Sequence, residues 1–458
     1  MIQLLNIYKS NMIFQREKPI KLLGYCDGNS EIIVEILCEN KCLRIGKTKP
    51  QNGKWKIEME GLGALRNLTI NVGCKDEMIT LSGISIGDVW LCGGQSNIEC
   101  VFEYCMGTEE YIKKFGNCDI HFLNMEQEIS FTENESLKNP EWIVLDKSNY
   151  HKLSVISCVF GQYIGEELDI PIGLVKNYRG GNSIISYLSE ENIKECDEKG
   201  IFAEQLENEK KELKSAWSMI PTGFYNAMTA PLSPFSFKGM LWYQGETDSA
   251  YGRVKYYKRF LKKLIEQYRN QFNDSTLPVV LVQLCPFEMD PFDFKVIRQI
   301  QMETAEEDEN VHLIITADLG PTGEAGESAI HPKFKTPIGE RCAMAALANV
   351  YNKEMEEWSG PIFDHISQNG NDLVIHFRHC AKGLTAEGEV GGFEVGHNEF
   401  FVNGVKAEIL DKDKVIIRDA TNMRIVRYSY FNISGNKTLG GNLKNSIGIP
   451  ASPFNINL

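Results

Sequence analysis

The sequence predicts an α/β core framed by two all-β regions, and three observations carry that prediction. Between about residues 86 and 355, apolar runs of strand length alternate with amphipathic helical stretches. On either side of that span, short alternating runs are separated by turn residues, with no helical periodicity. The apolar run Val89-Trp90-Leu91-Cys92 then ends abruptly on Gly93-Gly94, as a buried strand does at the carboxyl edge of a sheet. The expected division is therefore 1–85 (β), 86–355 (α/β) and 356–458 (β), which suits a chain of 458 residues at roughly 150 per domain.

The first region is expected to be a small sandwich. Strand-like runs fall at 18–24, 31–37, 54–59 and 68–72, with turn signals at Asp27-Gly28-Asn29 and Gln51-Asn52-Gly53. In the middle region, strands are expected at 88–92, 119–124, 170–177, 238–244, 277–284 and 311–318. Helices are expected at 154–168, 253–272, 296–308 and 336–351, with a further helical start at 98–104. In the second of these, Val254, Tyr257, Leu261, Leu264 and Tyr268 recur every three or four residues and form one apolar stripe. Strands alternating with helices imply a parallel sheet covered on both faces, with functional residues at the carboxyl ends of its strands. The last region reads as a second small sandwich, with strands at 373–377, 399–403, 414–418 and 424–430. Trp217, Tyr225 and Trp242 are read as core residues ahead of a sugar-lining role, because aromatics are more often buried.

A net charge of −14 disfavours nucleic acid and anionic membrane as partners, since both need a basic face. No stretch approaches 18 apolar residues, and the start carries no charged segment followed by a long apolar run. Thirteen cysteines are scattered through strand-like and helix-like runs, with no CxxC pair or His-rich cluster. The expectation is free thiols in a reducing compartment, hence a cytoplasmic location, and no metal.

Four segments at predicted strand ends carry chemistry. They are Gly94-Gln95-Ser96-Asn97, Asn177-Tyr178-Arg179-Gly180-Gly181-Asn182-Ser183, Trp242-Tyr243-Gln244-Gly245-Glu246-Thr247-Asp248, and Asp318-Leu319-Gly320 followed by Ile330-His331-Pro332. A serine between a strand and a helix start lies where free N–H groups and the helix dipole favour negative charge, so Ser96 can attack a carbonyl. His331 is the base that takes its proton. The N–H of Ser96, an N–H of Gly180 or Gly181, and the Gln244 amide are the expected oxyanion hole. Gln95, Asn97, Arg179 and Glu246 flank these groups and are assigned to substrate binding. Each segment has a plainer reading alone: a Ser/Asn cap, a glycine turn, a satisfied glutamine, a loop histidine. Their order, each at a strand end of one sheet, favours acyl transfer.

Gly93-Gly94-Gln95-Ser96-Asn97, Leu241-Trp242-Tyr243-Gln244-Gly245-Glu246 and Ile330-His331-Pro332 resemble the signature blocks of the sialate O-acetylesterase family, within the SGNH hydrolase superfamily. The resemblance runs through Asn11-Met12-Ile13-Phe14-Gln15-Arg16, Pro171-Ile172-Gly173-Leu174 and Asn226-Ala227-Met228-Thr229-Ala230-Pro231 to Pro450-Ala451-Ser452-Pro453-Phe454, almost the whole chain. It implies hydrolysis of acetyl esters on sugar hydroxyls, sialic acid being the name-giving substrate. It also implies a three-layer α/β/α SGNH-hydrolase-like core, an acetylated sugar as substrate, and no metal or other cofactor.

Two positions depart from the superfamily pattern. An Asp often stands three residues before the histidine, where this chain has Ser328 beside Glu327. Glu327, Glu246 or Asp318 takes the orienting role, or a backbone carbonyl does and the machinery is a Ser–His dyad; the spacing favours the last. Arg179 stands where small residues or Trp are more usual, and either meets a substrate carboxylate or is simply exposed. The rival readings are an acetylxylan or other plant-glycan esterase, and a non-catalytic carbohydrate-binding protein.

Overall fold

The computed structural model describes the chain apart from Tyr251, Glu288, Asp290 and residues 321–329, 398–399, 404, 421–422 and 431–440. It is a mixed α/β protein that divides into two compact units, one formed by Met1–Trp242 with Arg259–Val279 and the other by Tyr243–Lys258 with Val280–Leu458.

The first unit begins with short strands whose alternate residues are buried. β1 (Ile2–Leu4), β3 (Ile20–Cys26) and β6 (Lys54–Met59) make one antiparallel sheet. β4 (Ile32–Cys38) lies between β5 (Lys41–Thr48) and β7 (Leu65–Cys74) in a second. Ile20, Leu22 and Cys26 of β3, Trp55, Ile57 and Met59 of β6, and Leu68, Ile70, Val72 and Cys74 of β7 are buried. This is the period-two pattern of one-sided strands.

β8 (Glu77–Gly94) is the element that ties this unit together. Its first half pairs antiparallel with β7, then its Ser85–Gly87 stretch pairs parallel with β2 (Ile13–Gln15). From Asp88 to Gly94 it pairs parallel with β11 (Ile172–Tyr178). One strand of 18 residues thus runs through residue 85 without a break. The sequence suggested only its second half, because Gly83, at φ 66°, interrupts the alternation and reads as a turn. Where β8 changes partners, the buried Asp88 carboxylate accepts from Arg16 at 2.9 and 3.0 Å and from Gln15 at 2.8 Å. Breaking such a buried pair from one side is strongly destabilising.

The strands around β8 run in the order β10 (Glu141–Val144), β9 (Ile120–Asn124), β11, β8, β12 (Gly239–Tyr243). β9, β11 and β8 are parallel, as the sequence predicts, while β10 adds an antiparallel edge. Its Trp142 is buried and donates to the Ile7 carbonyl at 3.1 Å.

The helices follow in chain order as α1 (Ser96–Glu99), α2 (Glu109–Lys114), α3 (Val155–Leu168), α4 (Glu190–Cys196), α5 (Ile201–Lys211), α6 (Val254–Gln271), α7 (Phe294–Glu307) and α8 (Thr336–Asn349). α3 starts where a serine cap predicts, the Ser154 hydroxyl accepting from the Ser157 N–H at 3.1 Å. α3, α6, α7 and α8 begin and end within two residues of expectation.

The helix expected at 98–104 is instead the single turn α1. The Ser154 hydroxyl takes the Ile98 carbonyl at 2.6 Å, and Val101 leaves to form a bridge with Ser154.

In the second unit, β13 (Val279–Val282) and β14 (Val311–Ile314) are neighbours. Beyond α8, β15 (Ile362–Asn369), β16 (Asp372–Arg378), β21 (Lys414–Ile417) and β20 (Ala407–Asp411) form one antiparallel sheet. β19 (Phe400–Asn403), β18 (Phe393–His397), β22 (Ile425–Tyr428) and β24 (Phe454–Asn457) form another. β17 (Leu384–Thr385) pairs with β23 (Lys444–Asn445). Phe454 is the common core residue, with Phe363, Phe377, Phe393 and Tyr428 around its ring. No helix among the described residues is long and apolar enough to cross a membrane.

Candidate active site

From Ile84 to Ile98 every residue is buried except one, Ser96, which is partly exposed. Its position follows from the end of β8. A β-carbon on Gly93 would come 2.6 Å from the Trp242 ring, so only glycine lets β8 lie against β12 there. Gly94, at φ 139°, turns the chain out of the sheet in a conformation side chains resist. Gln95 and Asn97, each 2% exposed, stay inside, and Ser96 alone faces outward as the first residue of α1. Because α1 is one turn long, main-chain N–H groups rather than a long helix dipole are what this position offers an anion.

The end of β11 closes on the same place. The Arg179 N–H donates to the Gly94 carbonyl at 3.1 Å and to the Tyr187 hydroxyl at 3.2 Å, and that hydroxyl donates in turn to Gly94. A β-carbon on Gly180 would lie 3.6 Å from Ser96 Cβ. Gly181, at φ 75°, then turns the chain back.

The Glu99 carboxylate stands between these pieces. Its two oxygens accept from the Gly180 N–H and from Gln127 Nε2, each at 2.5 Å, and Gln127 also donates to the Tyr178 carbonyl at 3.2 Å. The Gly180 N–H, expected to meet an oxyanion, is here engaged by Glu99.

Arg179 lies over the ring of Trp217, its guanidinium carbon 5.0 Å from the ring centroid. Its Nη1 is buried and has no hydrogen-bond partner among the described residues, whereas Trp217 is 47% exposed. Trp242 is fully buried and Tyr225 nearly so.

The second unit carries the remaining candidates. Gln244, at the end of β12, is buried; its side-chain amide donates to Asp248 Oδ2 at 2.5 Å. Its main-chain carbonyl accepts from Tyr257 Oη at 2.8 Å and from Gln301 Nε2 at 3.1 Å. Glu246 is 1% exposed, and its carbonyl accepts from Ser249 Oγ.

Asp318 forms a two-pronged ion pair with Arg341, both bonds at 2.7 Å. His331 is half-buried, four residues before the fully buried Lys335 that precedes α8. Burial first, and the Lys335 charge second, hold its imidazole below the usual histidine pKa, so it is neutral at neutral pH. A neutral imidazole near pH 7 is what a general base requires. Glu327 and Ser328 lie outside the described residues. Among the described residues no cluster of His, Cys, Asp or Glu could hold a metal ion.

Two supporting residues, Glu99 and Tyr187, escape the sequence reading, and a third, Asp248, stands in the Gln244 segment with no role assigned. Glu99 follows Ser96 by one helical turn, a spacing visible in the sequence once α1 is known to start at Ser96. Asp248 follows Gln244 by four. Tyr187 carries no local signal, since its link to Gly94 spans 93 residues.

Residues 86–348 match the family model described as carbohydrate esterase, sialic acid-specific acetylesterase. Among curated relatives, the sialate O-acetylesterase of Mus musculus is 26% identical over 404 residues, 77% of this chain and 74% of that protein. The sialate O-acetylesterase of Homo sapiens is 26% identical over 325 residues, 66% of this chain and 58% of that protein. Among solved structures, a carbohydrate acetylesterase from Xanthomonas citri superposes with a TM-score of 0.86 at 24% identity, covering 100% of this chain and 99% of that one, a likeness of fold.

Proposed function

Since the chain belongs to the carbohydrate esterase family of sialic acid-specific acetylesterases, we propose that it hydrolyses O-acetyl esters of sialic acid through an acetyl-serine on Ser96. The observation that carries this is the isolation of Ser96 as the one outward residue of an otherwise buried strand end. In this reading Ser96 Oγ attacks the acetyl carbonyl and His331 accepts its proton. The carbon–oxygen bond to the sugar breaks, and His331 returns the proton to the leaving sugar oxygen. Water, deprotonated by His331, then releases acetate.

The Ser96 N–H and the Gln244 amide meet the oxyanion. Gly180 or Gly181 joins them when Glu99 yields the loop. The same reading makes the parallel strands the middle layer of a three-layer α/β/α core, with β-sandwich-like regions at either end. Arg179, with a buried and unpartnered guanidinium nitrogen above an exposed tryptophan, supports an acidic sugar. Guanidinium matches a carboxylate, and the indole face suits a sugar ring.

The test is acetate release from O-acetylated N-acetylneuraminic acid beside acetylated xylo-oligosaccharide, with mass spectrometry for acetylated Ser96. A ~10-fold or greater preference for the sialate is expected, and Arg179→Leu should remove most of it. Preference for the xylan fragment would overturn the substrate. Absence of both turnover and adduct would overturn the serine esterase and leave a carbohydrate-binding protein.

A further inference from the structure

In the first unit, two thiols meet at one end of the N-terminal strands. Cys26 ends β3 and Cys74 ends β7, so they belong to different sheets. Their Sγ atoms are 3.7 Å apart, and the residues are 2% and 7% exposed. The backbone around them is fixed from the other side. Cys26 pairs with Ile2 across β1–β3, and Cys74 pairs with Glu77 across the β7–β8 hairpin. The Ile2 N–H donates to Glu77 Oε2 at 2.6 Å. Two cross-strand pairs are thus bridged once by a hydrogen bond and once by the thiol contact. Each cysteine is followed directly by exposed residues, Asp27-Gly28 and Lys75-Asp76, so the pair sits at the solvent end of its strands.

We propose that Cys26 and Cys74 form a modification site that closes to a disulfide by exchange with a small-molecule disulfide, stapling the two N-terminal sheets together. A disulfide needs sulfurs about 2.05 Å apart, so the atoms close by about 1.7 Å, within the reach of a χ1 adjustment at strand ends. One protein thiolate attacks oxidised glutathione, forming a mixed disulfide and releasing one glutathione. The second protein thiol, losing its proton, attacks the protein sulfur of that mixed disulfide and displaces the second glutathione. Two electrons pass from the cysteines to the glutathione disulfide, and both protons end on glutathione thiols. Burial, and then the hydrogen bond to Cys74, push the Cys26 thiol above its ordinary pKa, so exchange is slow at neutral pH and quickens in mild alkali. This is the behaviour of a structural cross-link rather than a fast sensor.

The bond closes a loop spanning 48 positions, which restricts the unfolded chain and raises stability. The staple bears directly on β8, which begins at Glu77, three residues after Cys74, and ends at Gly94, two before Ser96.

The experiment uses the full chain, reduced, freed of reductant and incubated with oxidised glutathione at mildly alkaline pH. Remaining thiols are then blocked with N-ethylmaleimide and the protein is digested with trypsin without reduction. The expected product links the peptide of residues 67–75 to that of residues 22–41, with fragment ions placing the bond on Cys26 rather than Cys38. The melting temperature should rise by about 5 °C or more, a gain reversed by dithiothreitol and absent in Cys74→Ser. Recovery of Cys26 and Cys74 as separate maleimide or glutathione adducts would overturn the proposal. So would a linked product that melts lower than the reduced protein. The peptide readout is made on the wild type and does not depend on how any variant folds.

Discussion

The two compact units hold their candidate residues by different means, and the contrast shows what each half of the chemistry depends on. In the first unit, Ser96 is placed by backbone and sterics. β8 and β11 end side by side, the Gly93 site has no room for a β-carbon beside Trp242, and Tyr187 and Arg179 both bond to the Gly94 carbonyl. The Glu99 carboxylate enters there as a hydrogen-bond acceptor that grips the β11 loop. In the second unit, His331 stands between β14 and α8, in a stretch that also carries the Asp318–Arg341 ion pair and the buried Lys335 whose charge acts on its ring. The nucleophile is therefore a matter of geometry and the base a matter of potential. Substitutions in the first unit should act through placement, and those in the second through pH.

The largest expected effect tests whether both halves serve one reaction. Ser96→Ala should lower kcat for acetate release on the order of 10⁴-fold or more, and His331→Ala ~10³–10⁴-fold. Because residues acting as a unit are not additive, the double variant should be little worse than Ser96→Ala alone. Steady-state acetate assays on the three proteins decide this. Losses that multiply in the double variant would break the comparison, since serine and histidine would then act independently.

The same contrast explains what the sequence made legible. β9, β11 and β12 and helices α3 and α6 follow from apolar period, strand length and the Ser154 cap, all local signals. The Ser96 block is legible for the same reason: Gly93 and Gly94 are written into the chain beside the residue they serve. The continuity of β8 is hidden because Gly83 imitates a turn within a strand. The extent of α1 is hidden because a distant hydroxyl, that of Ser154, ends it. Glu99, three residues from Ser96, stays hidden, and Asp248, though inside the Gln244 segment, carries no visible role, because an acidic residue in the sequence reads first as surface. Tyr187 could not be found at all, since only the fold brings it to Gly94.

A smaller effect is expected at Glu99, where the placement claim can be sharpened. Its carboxylate holds the Gly180 N–H and Gln127 on either side of the Ser96 turn. Glu99→Ala removes both bonds and should lower kcat/KM ~10-fold by loosening the β11 loop, with p-nitrophenyl acetate and the sugar ester affected alike. Glu99→Gln keeps an acceptor for Gly180 and should recover most of the loss. Equal damage from both substitutions would show that the charge of Glu99, and not its grip on the loop, is what the first unit needs.

The smallest effect lies in the pH profile, and it speaks to how His331 is oriented. Burial and the Lys335 charge both disfavour the imidazolium, so the base remains neutral to lower pH than an ordinary histidine. The acid limb of kcat/KM, which reports the free enzyme, should have its midpoint below 6.5. Lys335→Met removes the second cause and keeps the first, so the midpoint should move up and still stay below 6.5. An acidic residue on the imidazole acts in the opposite sense, because a carboxylate favours the charged ring. If Glu327 orients His331, the wild-type midpoint should lie above 6.5 and fall in Glu327→Gln. A midpoint below 6.5 that Glu327→Gln leaves in place would favour a backbone carbonyl and a Ser–His dyad. The same titration thus tests the electrostatic character of the second unit and decides between the two ways of holding its base.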